Sequence, residues 1–267
     1  MFSEQTYFDL AYYLLRPDFG QKKLRKLLHD YLAGKIVLNK SSEDFRKKLE
    51  KDRIKILPFW SEDYPYLLKQ TTDYPPFLFL KGDISLLSKN MVTVVGSRKM
   101  DSYGDRVLSE CFDYNGDLKN ICFVSGLANG VDSKVHNLCL KKGIATVGVM
   151  AGGMEKNYYR GNSVMYKYLQ QYRLVISEFP PGREYFKGMF PLRNRILAGL
   201  SKKTFVIQAG DKSGALNTAT HANNYGRDVF ALPHSIYSDV GGGCLKLLND
   251  GAGLIGGVGD LVDKIVN

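Results

Sequence analysis

The sequence predicts an α/β protein in which a parallel-sheet core follows a small all-helical module. Three observations carry that prediction. From residue 91 onward, short apolar runs alternate with helix-compatible stretches, the rhythm of βαβ units. Most of those runs end in small residues, where a parallel sheet opens to ligands at the carboxyl ends of its strands. Before residue 57 the apolar spacing is instead that of helices. A chain of 267 residues has room for a main domain plus a smaller one, at roughly 100–200 residues per domain. Hydrophobic residues make up 44% and charged residues 24%, ordinary globular usage that excludes wholesale disorder.

In chain order, Tyr7–Leu15 reads as a helix stopped near Pro17 and Gly20. Leu24, Leu27, Leu28, Tyr31 and Leu32 form the core-facing stripe of a second helix, with Lys22, Lys23, Arg25 and Lys26 on its other side. That basic stretch fits either a solvated helix face or an accessory nucleic-acid surface. A third helix covers Ser42–Lys51, with Phe45 and Leu49 four residues apart. Residues 57–90 differ: Pro58, Pro65, Pro75 and Pro76 mix with seven aromatics, which reads as a linker packed on the core and not as a free tether. The expected division is therefore 1–56, 57–90 and 91–267. Strands follow at Val92–Val95, Ile121–Val124, Ile144–Met150, Leu174–Ile176, Phe205–Ile207 and Val229–Leu232. Helices fill about 103–114, 130–142, 161–171, 191–200, 214–225 and 243–249.

The net charge is +10, from 37 Lys+Arg against 27 Asp+Glu. About half of the surplus lies in residues 1–57 and half beyond 91, and it favours an anionic partner. No apolar run approaches the ~18 residues of a membrane helix. The N-terminus lacks the basic-then-apolar order of a secretory signal. Cysteines 111, 122, 139 and 244 show no metal or disulfide spacing, so the expectation is a cytoplasmic protein with buried thiols. No metal, cofactor or catalytic residue is expected: the four histidines share no ligand spacing, and no nucleophile elbow is present.

Four loops can carry function. Gly96-Ser97-Arg98 lacks the glycine pattern of a dinucleotide loop, yet its N–H groups and arginine can meet an anion. Arg98 can equally pair with Asp101 or Asp105. In Ser125–Asp132, small residues precede a helix, and His136 lies four positions after Asp132, which reads as a structural pair. In Phe190-Pro191-Leu192-Arg193-Asn194-Arg195, the two arginines splay from a helix start beside an aromatic. Bases stack and phosphates pair on such a combination when single-stranded nucleic acid binds. Its alternative is a core Phe with two exposed arginines. Ser213 caps the next helix and can either bind an anion or serve as a cap alone.

Together these segments resemble the bacterial DNA-processing protein A (DprA, or Smf) family. The matching pieces are Pro76–Gly82, Val95–Arg98, Ser125–Asp132, Ser177–Gly182, Phe190–Arg195 and Ser213–Ala219, in the family's order. The resemblance implies an extended Rossmann-like core that binds single-stranded DNA without sequence preference, forms a homodimer, and loads RecA recombinase in natural transformation. It implies DNA contacts at Arg98 and Arg160 and a role for Phe190, alongside Gly96, Ser97, Arg193, Arg195 and Ser213 from the loops above. It places the dimer and RecA surface around Gly243–Gly256, with Leu247 and Leu248 as apolar contacts. It also implies no enzymatic activity. The competing class is a phosphoribohydrolase-like nucleotide enzyme, but Ser213–Thr218 lacks that class's glycine pair and glutamate. Many members continue into a winged helix, for which 267 residues leave no room beyond the expected domains.

Overall fold

The short apolar runs pair into one sheet because their side chains are buried on both faces. The computed structural model describes residues 4–16, 21–36, 42–114, 117–154, 163–184 and 186–267. Among these the strands are β1 (Lys55–Pro58), β2 (Phe77–Gly82), β3 (Asn90–Val95), β4 (Ile121–Ser125), β5 (Ala145–Val149), β6 (Leu174–Ser177), β7 (Lys203–Val206), β8 (Asp228–Ala231) and β9 (Gly253–Leu254). Their order across the sheet is β1-β2-β6-β5-β4-β3-β7-β8-β9. From β6 to β9 every pairing is parallel, whereas β2 joins β6 and β1 joins β2 antiparallel. The run β5-β4-β3-β7-β8-β9 is the doubly wound 3-2-1-4-5-6 order of a Rossmann-like sheet.

The helices are α1 (Glu4–Tyr12), α2 (Gln21–Leu32), α3 (Glu43–Lys51), α4 (Tyr66–Lys69), α5 (Ser102–Asp113), α6 (Val131–Lys142), α7 (Ser163–Tyr172), α8 (Met189–Gly199), α9 (Gly214–Asn224), α10 (Gly242–Asn249) and α11 (Val258–Val266). They cover both faces. Along β3, Met91 and Val95 join the cluster that holds Ile196 of α8 and Ala219 of α9. Val92 and Val94 point the other way, to Leu108 of α5, Val135 of α6 and Leu261 of α11. The helix α11 and strand β9 are additions to the elements read from the sequence.

The segment 57–90 is more than a packed linker. Phe77-Leu78-Phe79-Leu80 is buried on both faces and becomes an internal strand. Leu78 and Leu80 enter the main cluster, while Phe77 and Phe79 meet Leu10, Leu24, Phe45 and Leu49 of the first three helices. The N-terminal helices therefore share a core with the sheet. Arg25 of α2 adds a polar tie, its guanidinium 4.4 Å from the Tyr74 ring and donating to the Thr72 carbonyl at 3.1 Å.

Candidate nucleic-acid interface

Strand order sets the site. The neighbours of β3 are β4 on one side and β7 on the other, so the loops leaving β3 and β7 run to opposite faces. Between them lies a cleft of about 760 Å³. Its walls are residues 95–99 after β3, residues 210–215 after β7, and Phe190, Arg193 and Asn194 of α8.

Close packing holds the first wall in place. A Cβ on Gly96 would lie 2.6 Å from Val131 Cγ2 and 3.0 Å from the Gln208 carbonyl, so glycine lets β3 end this near to α6. The Val131 N–H donates to the Ser97 carbonyl at 3.2 Å, and Ser97 Oγ accepts from the Lys99 N–H at 3.0 Å. Gln208 ties the two loops together. Its Oε1 accepts from the Asp101 N–H at 3.1 Å, and its Nε2 donates to the Asp101 carboxylate at 2.6 Å. Asp101 also caps α5 by accepting from the Gly104 N–H at 3.0 Å. Burial works to raise the Asp101 carboxyl, but these hydrogen bonds outweigh it and hold the group below the usual carboxylate range. Across the cleft, Ser213 Oγ accepts from the Ala215 N–H at 3.3 Å and caps α9, so the positive end of that helix faces the space.

Arg98 is exposed, and its guanidinium lies 5.1 Å from the centre of the half-buried Phe190 ring. Neither carboxylate weighed against it takes it: Asp105 pairs with Lys134 at 2.6 Å, and Asp101 is engaged by Gln208. Phe190 packs on Ala151, Phe179 and Met189. Lys99 and Lys212 are exposed in the same walls, two cations the sequence reading missed. Their signal was position, directly after Arg98 and directly before the Ser213 cap.

The two arginines of α8 depart from the expectation of phosphate contact. Arg193 is 5% exposed and forms part of the cleft floor, its Nη1 donating to the Gly126 carbonyl and, at 2.6 Å, to the Val149 carbonyl. Arg195 points away from the cleft. It forms an ion pair with Glu178 and donates to the Asp73 carbonyl at 2.5 Å, with side chains 5% and 1% exposed for Arg195 and Glu178. The arginines do splay, but inward, because buried carbonyls and a buried carboxylate await them. Arg160 lies outside the described residues. Leu247 and Leu248 are half-buried against the main cluster.

The expected Asp132–His136 pair is replaced by separate partners. Asp132 lies at the cleft floor and accepts from the Ala128 N–H at 3.3 Å; burial raises its carboxyl, opposed by the nearby Arg193 charge. His136 Nδ1 stands 2.8 Å from Thr146 Oγ1, whose own hydroxyl donates to the Phe123 carbonyl at 2.7 Å. The histidine is thus the donor, and burial lowers its pKa to about 3, so it is neutral. All four cysteines are buried thiols. Among the described residues no cluster of His, Cys, Asp and Glu gathers to hold a metal, and no helix is long and apolar enough to cross a membrane.

These features define a Rossmann-like protein with an anion-receptive cleft at the switch point of its sheet. The chain belongs to the DNA recombination-mediator protein A family, whose family model matches residues 55–266. It is 38% identical over 218 residues to DNA processing protein DprA of Bacillus subtilis, covering 79% of this chain and 71% of that one. It is 38% identical over 192 residues to DprA of Streptococcus pneumoniae, covering 72% and 67%. The solved structure of the Streptococcus pneumoniae protein superimposes with a TM-score of 0.83 at 29% identity, over 100% of this chain and 99% of that one. DNA processing protein A from Helicobacter pylori, in a structure described for that protein's single-stranded DNA binding mode, superimposes with a TM-score of 0.70 at 26% identity, over 80% and 96%.

Proposed function

We propose that this protein binds single-stranded DNA in the switch-point cleft, protects it and loads RecA recombinase onto it as a homodimer, in natural transformation or homologous recombination. The observation that carries the binding reading is the exposed Arg98 guanidinium beside the Phe190 ring at the cleft wall, with Lys99 and Lys212 in the same walls. Arg98, Lys99 and Lys212 meet phosphates, and Arg160 joins them by the family resemblance. Backbone groups of Gly96 and Ser97 and the capped start of α9 at Ser213 receive phosphate oxygens. Phe190 offers a face to a base, which suits any sequence because every base has a π-face. Arg193 shapes the floor, and Arg195 braces α8 from behind. The dimer and RecA surface is assigned to Gly243–Gly256, where Leu247 and Leu248 are half-buried and Leu254 is open.

The function is tested by anisotropy titration against single- and double-stranded oligonucleotides, followed by RecA filament assembly on strands coated with this protein. Preference for the single strand and faster assembly are expected. Equal affinity for both forms would remove the stacking argument, and unchanged assembly would remove the loading role.

A further inference from the structure

The loop between β8 and α10 carries the two most exposed large apolar side chains among the described residues, Ile236 at 79% and Tyr237 at 89%. The loop that holds them is firmly tied. At its root, His234 Nε2 lies 2.9 Å from the Ile207 carbonyl, and the Tyr103 ring stands edge-on to His234 at 5.2 Å. The Tyr103 hydroxyl donates to the Pro233 carbonyl at 3.3 Å. At the tip, Ser235 Oγ accepts from the Tyr237 N–H at 3.2 Å, and the Ser235 carbonyl accepts from the Ser238 N–H at 3.0 Å. At its far end the Gly243 N–H donates to the Ala209 carbonyl at 2.7 Å. An apolar pair held out in water on an anchored loop is presented to a partner with little ordering left to do on binding.

The chemistry of the occupant follows from continuity. Asp239 and Val240 of this same loop line the cleft together with the exposed Lys212. Tyr103 lies in the first turn of α5, after the β3 loop, and is itself 43% exposed at the loop's root. Both rings therefore stand at the carboxyl end of the sheet, as the cleft does. Asp239, at the loop's own end of the cleft, disfavours phosphates there, which leaves that end to the base side of a strand while Lys212 and the capped start of α9 receive the phosphates.

We propose that Tyr237 is a second base-stacking point, on which single-stranded nucleic acid leaving the cleft lays a base. This rests on the reading of the cleft as a single-strand site. The strand is then held at two aromatics, Phe190 inside the cleft and Tyr237 outside it.

The test uses the full chain and oligo-dT of about 6 and about 20 nucleotides, near the ends of the roughly 4–16-nucleotide footprint of single-strand folds. Tyr237→Ala is expected to weaken binding of the longer strand by roughly fivefold or more, with the short strand unaffected and the salt dependence unchanged. Tyr237→Phe keeps the ring and is expected to bind like wild type. Wild-type affinity of Tyr237→Ala for both lengths would overturn the proposal and leave the tip for another partner. An equal loss on both lengths would also overturn it, by placing Tyr237 within the cleft's own footprint. If the wild-type protein binds neither strand, the cleft reading itself falls, separately from the loop.

Discussion

Arg98 and Arg195 carry the same charge and stand on opposite sides of the burial boundary. Arg98 sits at the cleft wall, exposed, against an aromatic face. Arg195 is enclosed behind α8 with Glu178 and the Asp73 backbone. A cation in water remains available to an incoming phosphate at little cost. A cation stripped of water must be matched where it lies, because the desolvation penalty per ion is several kcal/mol. On the proposed reading, the buried arginine governs stability, and the exposed one governs binding and its response to salt.

The largest expected effect is on the buried side. Arg195→Ala leaves the Glu178 carboxylate without its guanidinium in a dry site and is expected to destabilise the fold by about 3–5 kcal/mol in chemical denaturation. Arg195→Met combined with Glu178→Leu, which removes both charges, should recover most of that loss. If Arg195→Ala instead unfolds with the wild-type midpoint, the brace assigned to this pair is wrong.

His136 adds a pH dependence to the same buried region. Its folded pKa is lowered to about 3 by burial, while an unfolded histidine titrates near 6.5. The unfolded chain then binds the extra proton first, so stability is full above about pH 6.5 and is lost progressively as pH falls toward about 3. His136→Gln should flatten that part of the stability profile. An unchanged profile would mean that other groups set the acid limit.

On the exposed side the effects are smaller and appear in binding. Phe190→Ala is expected to cost about 1–3 kcal/mol of oligo-dT affinity, with the slope of affinity against salt unaltered, since stacking releases no counterions. A change in slope would show that the ring acts mainly by placing Arg98.

Much of this was legible in the sequence. The strand ends at Gly96 and Ser125, the capping Ser213 and the aromatic beside the arginines all follow local rules of small residues, caps and spacing. What was not legible depends on partners distant in the chain. The inward course of Arg193 and Arg195 is set by the Val149 and Asp73 carbonyls, 44 and 122 positions away. The strand character of Phe77–Leu80 was hidden behind Pro75-Pro76, because its neighbour β6 is reached only after several other elements. The left-handed backbone of Leu127, φ 65°, is tolerated because the side chain is buried against Gly148, a contact no local pattern announces. The helix α11 follows a glycine-rich stretch that obscured the apolar spacing of Leu261, Val262 and Ile265.

On the proposed reading, the exposed cations of the cleft, and not the arginines of α8, meet the phosphates. Titration of oligo-dT at several salt concentrations, wild type against Arg98→Ala, decides between the two sets of arginines. With Arg98, Lys99, Lys212 and Arg160 engaged, the wild-type slope of log affinity against log salt should be near about −3, and Arg98→Ala should make it shallower by about 0.7 with stability within about 0.5 kcal/mol of wild type. A folded Arg98→Ala protein that binds with wild-type affinity and wild-type slope would rule out Arg98 as a phosphate contact.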